Sequence, residues 1–397
     1  MSVFVAGIGV ISPLGVGKNE NFSLLLSKQH GINSLSNKID PLLNGFPIAQ
    51  VSLSNKQLAE ISGINTELPR TVLLSAIAAN EAIEDSGIDI TKYKSGFISA
   101  TTVGGMDLTE QFFTKYIQNN NSGKLRQVIN HECGKVTDIV AKIIKANTYI
   151  TTINTACSSS ANSIILASRL IQSGQLDIAI AGGADALTAF TLNGFNTLLL
   201  LDNELCRPFD ANRKGLNLGE GSGYVLLVSE KLVAQGVCKP LCQLSGYGNT
   251  SDGFHQTALS PNGDGPYSSM KKALELANLQ PEQINYINLH GTATPNNDAS
   301  EGTAISRLFN NKFPALSSTK SYTGHTLGAS GGIEAVFSIL ALLKNQTLPN
   351  LRYANPMIEV PIIPEINTSS IQINHVLSNS FGFGGNCSSL IFSKTAL

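Results

Sequence analysis

"TYITTINTACSSSANSIILASRLIQSGQLDIAIAGG" occupies residues 148–183, and its reading decides the fold. The opening "TYITTIN" is β-branched and strand-like. After Cys157, the residues Ala161, Ile164, Ile165, Ser168 and Ile171 recur at helical spacing, Gly174 stops the helix, and "LDIAIAGG" supplies a second strand. The unit is βαβ, with Cys157 expected at the strand-to-helix turn and the first helical positions. Its neighbours Ala156, Ser158, Ser159, Ser160 and Ala161 are all small, where a structural thiol would have large apolar company. Two readings stay open at this point: an inert small-residue turn, or a catalytic thiol. The second has a physical basis. Unpaired amides and partial positive charge at a helix start lower a thiol's pKa, and unobstructed amides can donate to an oxyanion.

Outward from this unit, strand-like and helix-like segments alternate, which predicts an α/β layered fold. The strand candidates are 3–11, 95–101, 148–154, 176–183, 222–230, 284–291, 369–376 and 388–393; the helices are 71–88, 161–174, 267–279 and 331–345. The charged, Gly-containing stretch "SEKLVAQGVCKP" at 229–240 marks the seam, giving halves of 1–235 and 236–397. "NNNSGK" at 119–124 reads as an exposed loop.

Composition narrows the function. The chain has 397 residues, 42% hydrophobic, with a net charge of −1, so no global charge points to nucleic acid or a membrane surface. The start is apolar, but its first lysine is Lys18, so it reads as a strand rather than a signal peptide. No apolar run is expected to approach the roughly 18 residues that span a bilayer. Six scattered cysteines, with Cys238 and Cys242 unaccompanied by a second pair, favour neither zinc nor a disulfide scaffold, and reduced cytoplasmic thiols are the expectation. "GIGVIS" lacks the third glycine of a dinucleotide fingerprint, "GEGSG" lacks the Lys-Ser/Thr of a P-loop, and "HEC" at 131–133 lacks the second histidine of a zincin.

The second half holds candidate partners for the thiol. "NYINLHGTATP" ends a strand on His290, and "SSTKSYTGHTLGASGG" carries Lys320 and His325 in a Gly- and Ser-rich loop. A single histidine at a strand end is ordinarily structural. Two of only six, both flanked by Gly or Thr at element ends, point to imidazoles that donate to a developing enolate or move protons.

Seven motifs then fall in order along nearly the whole chain: "GIGVISPLG", "NTACSSSANSI", "AGGADAL", "CRPFDANRKGLNLGEGSG", "HGTATPNND", "SSTKSYTGHTLGASGGIEA" and "NSFGFGGN". The chain resembles the elongating β-ketoacyl-acyl-carrier-protein synthases of the Cys-His-His condensing type. The resemblance implies a thiolase fold, two similar halves in a five-layer α-β-α-β-α core, as a homodimer or as a heterodimer with a related subunit. It implies Cys157 as the nucleophile acylated from a phosphopantetheine thioester. His290 and His325 would hold the malonyl thioester carbonyl and stabilise the enolate left by decarboxylation. Lys320 would support that pair with Glu334 as its partner; Asp298 and Glu301 would be structural. Thr292 and Thr294 would hydrogen-bond pantetheine, and the amides of Cys157 and Phe383 would form the oxyanion hole, with Phe383 also a gate. There would be no metal and no resident cofactor, since 4'-phosphopantetheine arrives on an acyl carrier protein. The condensation would serve fatty-acid-like or specialised polyene or polyketide chain elongation; the alternatives are a catalytically silent chain-length partner of a ketosynthase heterodimer and a thiolase, although thiolases add a second cysteine as base.

Departures from the pattern are specific. Asn386 and Cys387 stand where the family runs Thr-Asn. "KLRQVINHECGKVTDIV" at 124–140 replaces a Pro- and Phe-containing helix, so residues 124–141, with His131, Glu132 and Cys133, are expected as polar groups at the far end of the acyl pocket and as determinants of a specialised acyl specificity. The usual basic carrier-docking helix keeps only Lys56 and Arg70, leaving Lys124, Arg126, Arg207, Arg213 and Lys214 as docking candidates.

Overall fold

The computed structural model describes residues 2–34, 43–64 and 66–395. Ten strands carry the architecture: β1 (Val3–Ser12), β2 (Ser95–Ala100), β3 (Tyr149–Ile153), β4 (Ile178–Asp185), β5 (Gly221–Ser229), β6 (Cys242–Ser251), β7 (Tyr286–Asn288), β8 (Ala315–Ser317), β9 (His375–Phe381) and β10 (Asn386–Ser393). Their hydrogen-bonded order is β8-β7-β9-β10-β6-β1-β5-β4-β2-β3. Read outward from the centre, the two halves repeat one another: β1-β5-β4-β2-β3 on one side, β6-β10-β9-β7-β8 on the other. The polarity repeats too. In each half the three outer strands run parallel and the two inner neighbours antiparallel. A short antiparallel contact, Phe4 with Gln243 and Val5 with Cys242, joins the two halves of the sheet.

Six helices complete the layers: α1 (Arg70–Ser86), α2 (Cys133–Ile144), α3 (Ser159–Gln172), α4 (Asp264–Ala277), α5 (Pro295–Phe309) and α6 (Ser330–Lys344). One outer core joins α1 and α2 to the first sheet, through residues such as Leu73, Ile77, Val140 and Phe97. The opposite outer core joins α4 and α5 to the second, through Met270, Ile305 and Leu377. Between the sheets, α3 and α6 contribute Ile164, Ile171, Val336 and Ile339 to one cluster with residues of both halves. This is the thiolase-type α-β-α-β-α sandwich, with α3 and α6 as its middle layer. Together with the short turn before it, α6 spans Leu327–Lys344, long and apolar enough to cross a membrane, yet 89% of it is buried in the protein. The sequence reading missed this stretch because serines and Glu334 interrupt it; its apolarity serves the middle layer.

The strands that the sequence did not reveal have physical reasons. β6 reads "CQLSGYGNTS", poor in β-formers because α4 lies against it. A Cβ on Gly246 would sit 2.2 Å from the Ala273 carbonyl oxygen, and one on Gly248 2.0 Å from that of Ser269. β8 is three residues long. β9 begins six residues later than the apolar alternation at 369–376 indicates, because its buried Ser378, Asn379 and Ser380 look like loop chemistry, although Asn379 finds Glu301 and Ser389 inside.

Candidate active site

Cys157 stands in the turn between β3 and α3. Ser158 is the N-cap and α3 begins at Ser159, so the thiol lies one residue before the cap and not in the first helical turn. The preceding Ala156 has φ +54°, a left-handed conformation that rotates the chain sharply and sets Cys157 at the crest of the turn. The small residues after it let the middle-layer helices meet end to end: the Gly332 N–H of α6 donates to Ser160 Oγ at 2.8 Å. The loop after β9 brings Phe383 to the same place. A Cβ on Gly382 would lie 2.6 Å from the Thr155 carbonyl oxygen and 3.1 Å from the Cys157 nitrogen, so only glycine permits the approach. The backbone N–H of Phe383 and that of Cys157 both face the sulfur.

The expected low thiol pKa is not what the structure gives. Cys157 is 6% exposed, and burial pushes its thiol up to about 12 against the opposing pull of the Lys320 ammonium and the Phe383 amide. Desolvation of a charge outweighs the partial charge of a helix start that is one residue too far along the chain.

The two imidazoles are fixed from behind. His325 Nδ1 receives the Leu327 N–H at 3.2 Å, with Ser330 Oγ 3.0 Å away. An acceptor Nδ1 on a neutral ring leaves the proton on Nε2. Lys320 Nζ, which can only donate, lies 3.3 Å from His290 Nδ1, donates to the His290 carbonyl oxygen at 2.6 Å and pairs with Glu334. His290 therefore takes the same tautomer. Burial, then the Lys320 charge, hold both rings well below the ordinary histidine range, so both are neutral. Their centroids are 5.5 Å apart and their planes nearly perpendicular, at 88°.

The carboxylates expected as structural are fully buried, and their bonds bear on His290. Glu301 accepts from the backbone N–H groups of His290 and Gly291, each at 2.9 Å, and from Asn379 Nδ2 at 3.1 Å. Asp298 accepts from Ala293 N–H at 3.1 Å and Phe209 N–H at 2.8 Å. Burial pushes Glu301 and Glu334 up to about 7 and raises Asp298 from its ordinary value.

One cavity of about 250 Å³ gathers Cys157, His290, His325, Phe381 and Phe383. Thr292 and Thr294 line the same cavity, their hydroxyl oxygens 2.9 Å apart. Phe195, which no motif or periodicity marks, stacks on Phe383 at 5.7 Å and 19°. Leu327 and Ser330, which set the His325 tautomer, fall inside the Gly- and Ser-rich loop, where no spacing distinguishes them from their neighbours. The Asn386 departure proves to be a node: its Oδ1 accepts from Ser158 Oγ and Asn162 Nδ2, both at 2.7 Å.

Other expectations are corrected. Arg70 is no docking cation; it is buried and paired through two nitrogens with Glu220. Arg213 is also buried, reaching the Pro295 carbonyl oxygen and Glu359 at 3.1 Å. Lys56, Lys124 and Lys214 are exposed, while Arg126 pairs with Glu67 at 2.6 Å and Arg207 with Glu204. His131 and Glu132 are exposed and Cys133 half-buried, and none of the three lines the cavity. The apolar face of α2, Val136, Val140 and Ile144, turns inward and leaves its N-terminal end outside.

This constellation is that of a condensing enzyme, and the comparisons agree. Residues 1–232 match the N-terminal domain of beta-ketoacyl synthases and 241–354 the C-terminal domain. The chain is 31% identical over 422 residues to the 3-oxoacyl-[acyl-carrier-protein] synthase 2 of Staphylococcus aureus, covering 99% of this chain and 98% of the relative. Its fold superposes on the ishigamide ketosynthase/chain length factor with a TM-score of 0.92 at 25% identity, covering 100% of this chain and 99% of that one. A type II polyketide ketosynthase bound to its acyl-carrier protein, AntDE:AntF, gives 0.89 at 25% identity, with 99% of each chain covered. The chain belongs to the β-ketoacyl synthase family and is an acyltransferase of the β-ketoacyl-[acyl-carrier-protein] synthase type, catalysing decarboxylative condensation.

Proposed function

We propose that the two half-reactions divide between two sets of groups on this cavity. Cys157 takes the acyl group: its sulfur bonds to the thioester carbonyl carbon, the two facing amides hold the oxyanion, and the thiol proton leaves on the pantetheine thiol. The His290 and His325 Nε2–H groups then hold the malonyl thioester carbonyl. Loss of CO₂ leaves an enolate whose carbon attacks the acyl carbon on Cys157, and the departing thiolate takes up a proton. Thr292 and Thr294 steady the pantetheine arm, and no resident cofactor takes part. The observation that carries this reading is the pair of neutral imidazoles, each with Nδ1 occupied by a donor, on one cavity with a thiol that faces two amides. A silent chain-length partner would need none of it. A thiolase would need a second cysteine, and of the six only Cys157 lines the cavity.

The carrier is an acidic protein drawn to exposed cations, of which Lys124 and Lys214 are accessible, Lys214 within 3.4 Å of Glu204. A second copy or a related subunit covers the apolar surface of Phe113, Ile117, Leu125 and Ile129, exposed by 56–71%. Six free cysteines support a reducing compartment, the cytoplasm. The test is intact-mass analysis with a panel of acyl-carrier donors. The acyl mass should appear on the parent and vanish in Cys157→Ala; label mapped to Cys133, Cys206 or Cys387 overturns the assignment.

A further inference from the structure

We propose that Asn386 is a positioning residue of the oxyanion hole, locking the Phe383 amide in place relative to the Cys157 amide; this rests on Cys157 being the acylated residue. The two amides belong to segments far apart in sequence, and the loop that carries Phe383 is intrinsically soft, since Gly384 and Gly385 both sit at φ +80°. Within the loop, the Gly382 N–H donates to the Asn386 carbonyl oxygen at 2.8 Å and the Gly385 N–H to that of Gly382 at 3.1 Å; toward the rest of the second half, the Gly384 N–H donates to the Gln256 carbonyl oxygen at 2.7 Å, and the Asp252 N–H to that of Gly385 at 2.7 Å. Toward the elbow, both side-chain hydrogen bonds end on one atom, Asn386 Oδ1, from Ser158 Oγ and from Asn162 Nδ2.

The donors on the elbow side form a network. Asn162 Nδ2 donates to Thr155 Oγ1 at 2.8 Å; Thr155 Oγ1 lies 3.0 Å from Ser158 Oγ, whose one hydroxyl proton is shared between Asn386 Oδ1 at 2.7 Å and the Thr155 carbonyl oxygen at 2.8 Å. Behind them Asn249 Nδ2 donates to Asn162 Oδ1 at 2.7 Å and reaches Asn386 Oδ1 at 3.1 Å, while Ser388 Oγ donates to Asn162 Oδ1 at 2.9 Å. One carboxamide oxygen thus ties the residue after the nucleophile, the first turn of α3 and β6 to the Phe383 loop. A threonine here, as in the family this chain resembles, offers a single shorter-reaching hydroxyl. Oxyanion donors act only when held within about 0.5 Å of the productive place, and a two-glycine loop does not hold itself there.

The test compares Asn386→Leu, which removes the acceptor in similar volume, with Asn386→Asp, which keeps it. Three quantities are read: single-turnover acylation by intact mass with the label mapped by peptide, malonyl-carrier decarboxylation, and the thermal midpoint. Asn386→Leu should slow acylation by about 10- to 100-fold, below the 10²–10³ of losing an oxyanion donor outright. Decarboxylation should stay within about twofold, because it draws on the imidazoles, and Asn386→Asp should recover most of the acylation rate. If Asn386→Leu does not fold, Asn162→Ala, which removes one donor to the same oxygen, should show the same selective loss at smaller amplitude. Unchanged acylation, or equal loss in both half-reactions, overturns the inference. Label on a residue other than Cys157 in the parent instead overturns the reading beneath it.

Discussion

Lys320→Met separates the stabilising and catalytic roles of the buried cation. Lys320 is 2% exposed and its ammonium has three N–H groups: one meets Glu334, one the His290 carbonyl oxygen, and one faces His290 Nδ1. Removing it leaves Glu334, whose second oxygen already has no hydrogen-bond partner, without any. Breaking a buried pair from one side costs about 3–5 kcal/mol. Because burial already raises the Glu334 pKa, the orphaned carboxyl meets part of that loss by binding a proton, placing the expected cost near the lower figure. In Lys320→Met/Glu334→Leu no charge remains to be buried, and most of the stability should return. Activity should not. His290 Nδ1 has lost its donor, the ring is free to place its proton on either nitrogen, and one enolate donor is compromised, for a loss of about 10²-fold. Urea unfolding and single-turnover CO₂ release from malonyl-carrier, measured on parent, single and double variants, decide the matter. Decarboxylation that returns together with stability in the double variant would show that Lys320 only holds the fold.

Three further outcomes follow from the site. His290 and His325 are held well below 6.5, so decarboxylation should stay level as pH falls from 7.5 to 6; a limb centred near 6.5 would mean that the rings titrate normally. Burial raises Glu301 from 4.5 to about 7, so its contribution to stability is complete below pH 4.5 and lost as pH rises through 7, at most about 3 kcal/mol. Urea midpoints at pH 5 and 8 should therefore differ more in the parent than in Glu301→Gln, and equal slopes would refute the assignment. Lys124→Glu should raise KM for carrier-bound donors and weaken its salt dependence, whereas Arg126→Glu, whose parent side chain is already tied to Glu67, should do less; KM values that do not move dismiss that docking patch.

Much of this site is legible in sequence because its chemistry is local. The strand, the small residues around Cys157 and the helical spacing after it lie within one stretch, and His290 and His325 are flanked by Gly and Thr at element ends. What stays hidden is set by distant contacts. β6 is masked by glycines that accommodate α4. The thiol's electrostatics cannot be read from its helix start, because burial dominates them and the opposing Lys320 and Phe383 come from the other half of the molecule. Arg70 and Arg213 look like docking cations until Glu220, Pro295 and Glu359, remote in sequence, enclose them. Asn386 was visible as a departure, but its role depends on Asn162 and Asn249, which no spacing rule links to it.

The central claim, that the imidazole pair serves the extender while Cys157 serves the donor, is tested most directly by malonyl-carrier decarboxylation in Cys157→Ala and in Cys157→Ala/His325→Ala. The account predicts that the first still releases CO₂, having kept both Nε2–H donors, and that the second loses about 10²–10³-fold. Decarboxylation that disappears with Cys157 alone, or persists without His325, would contradict it.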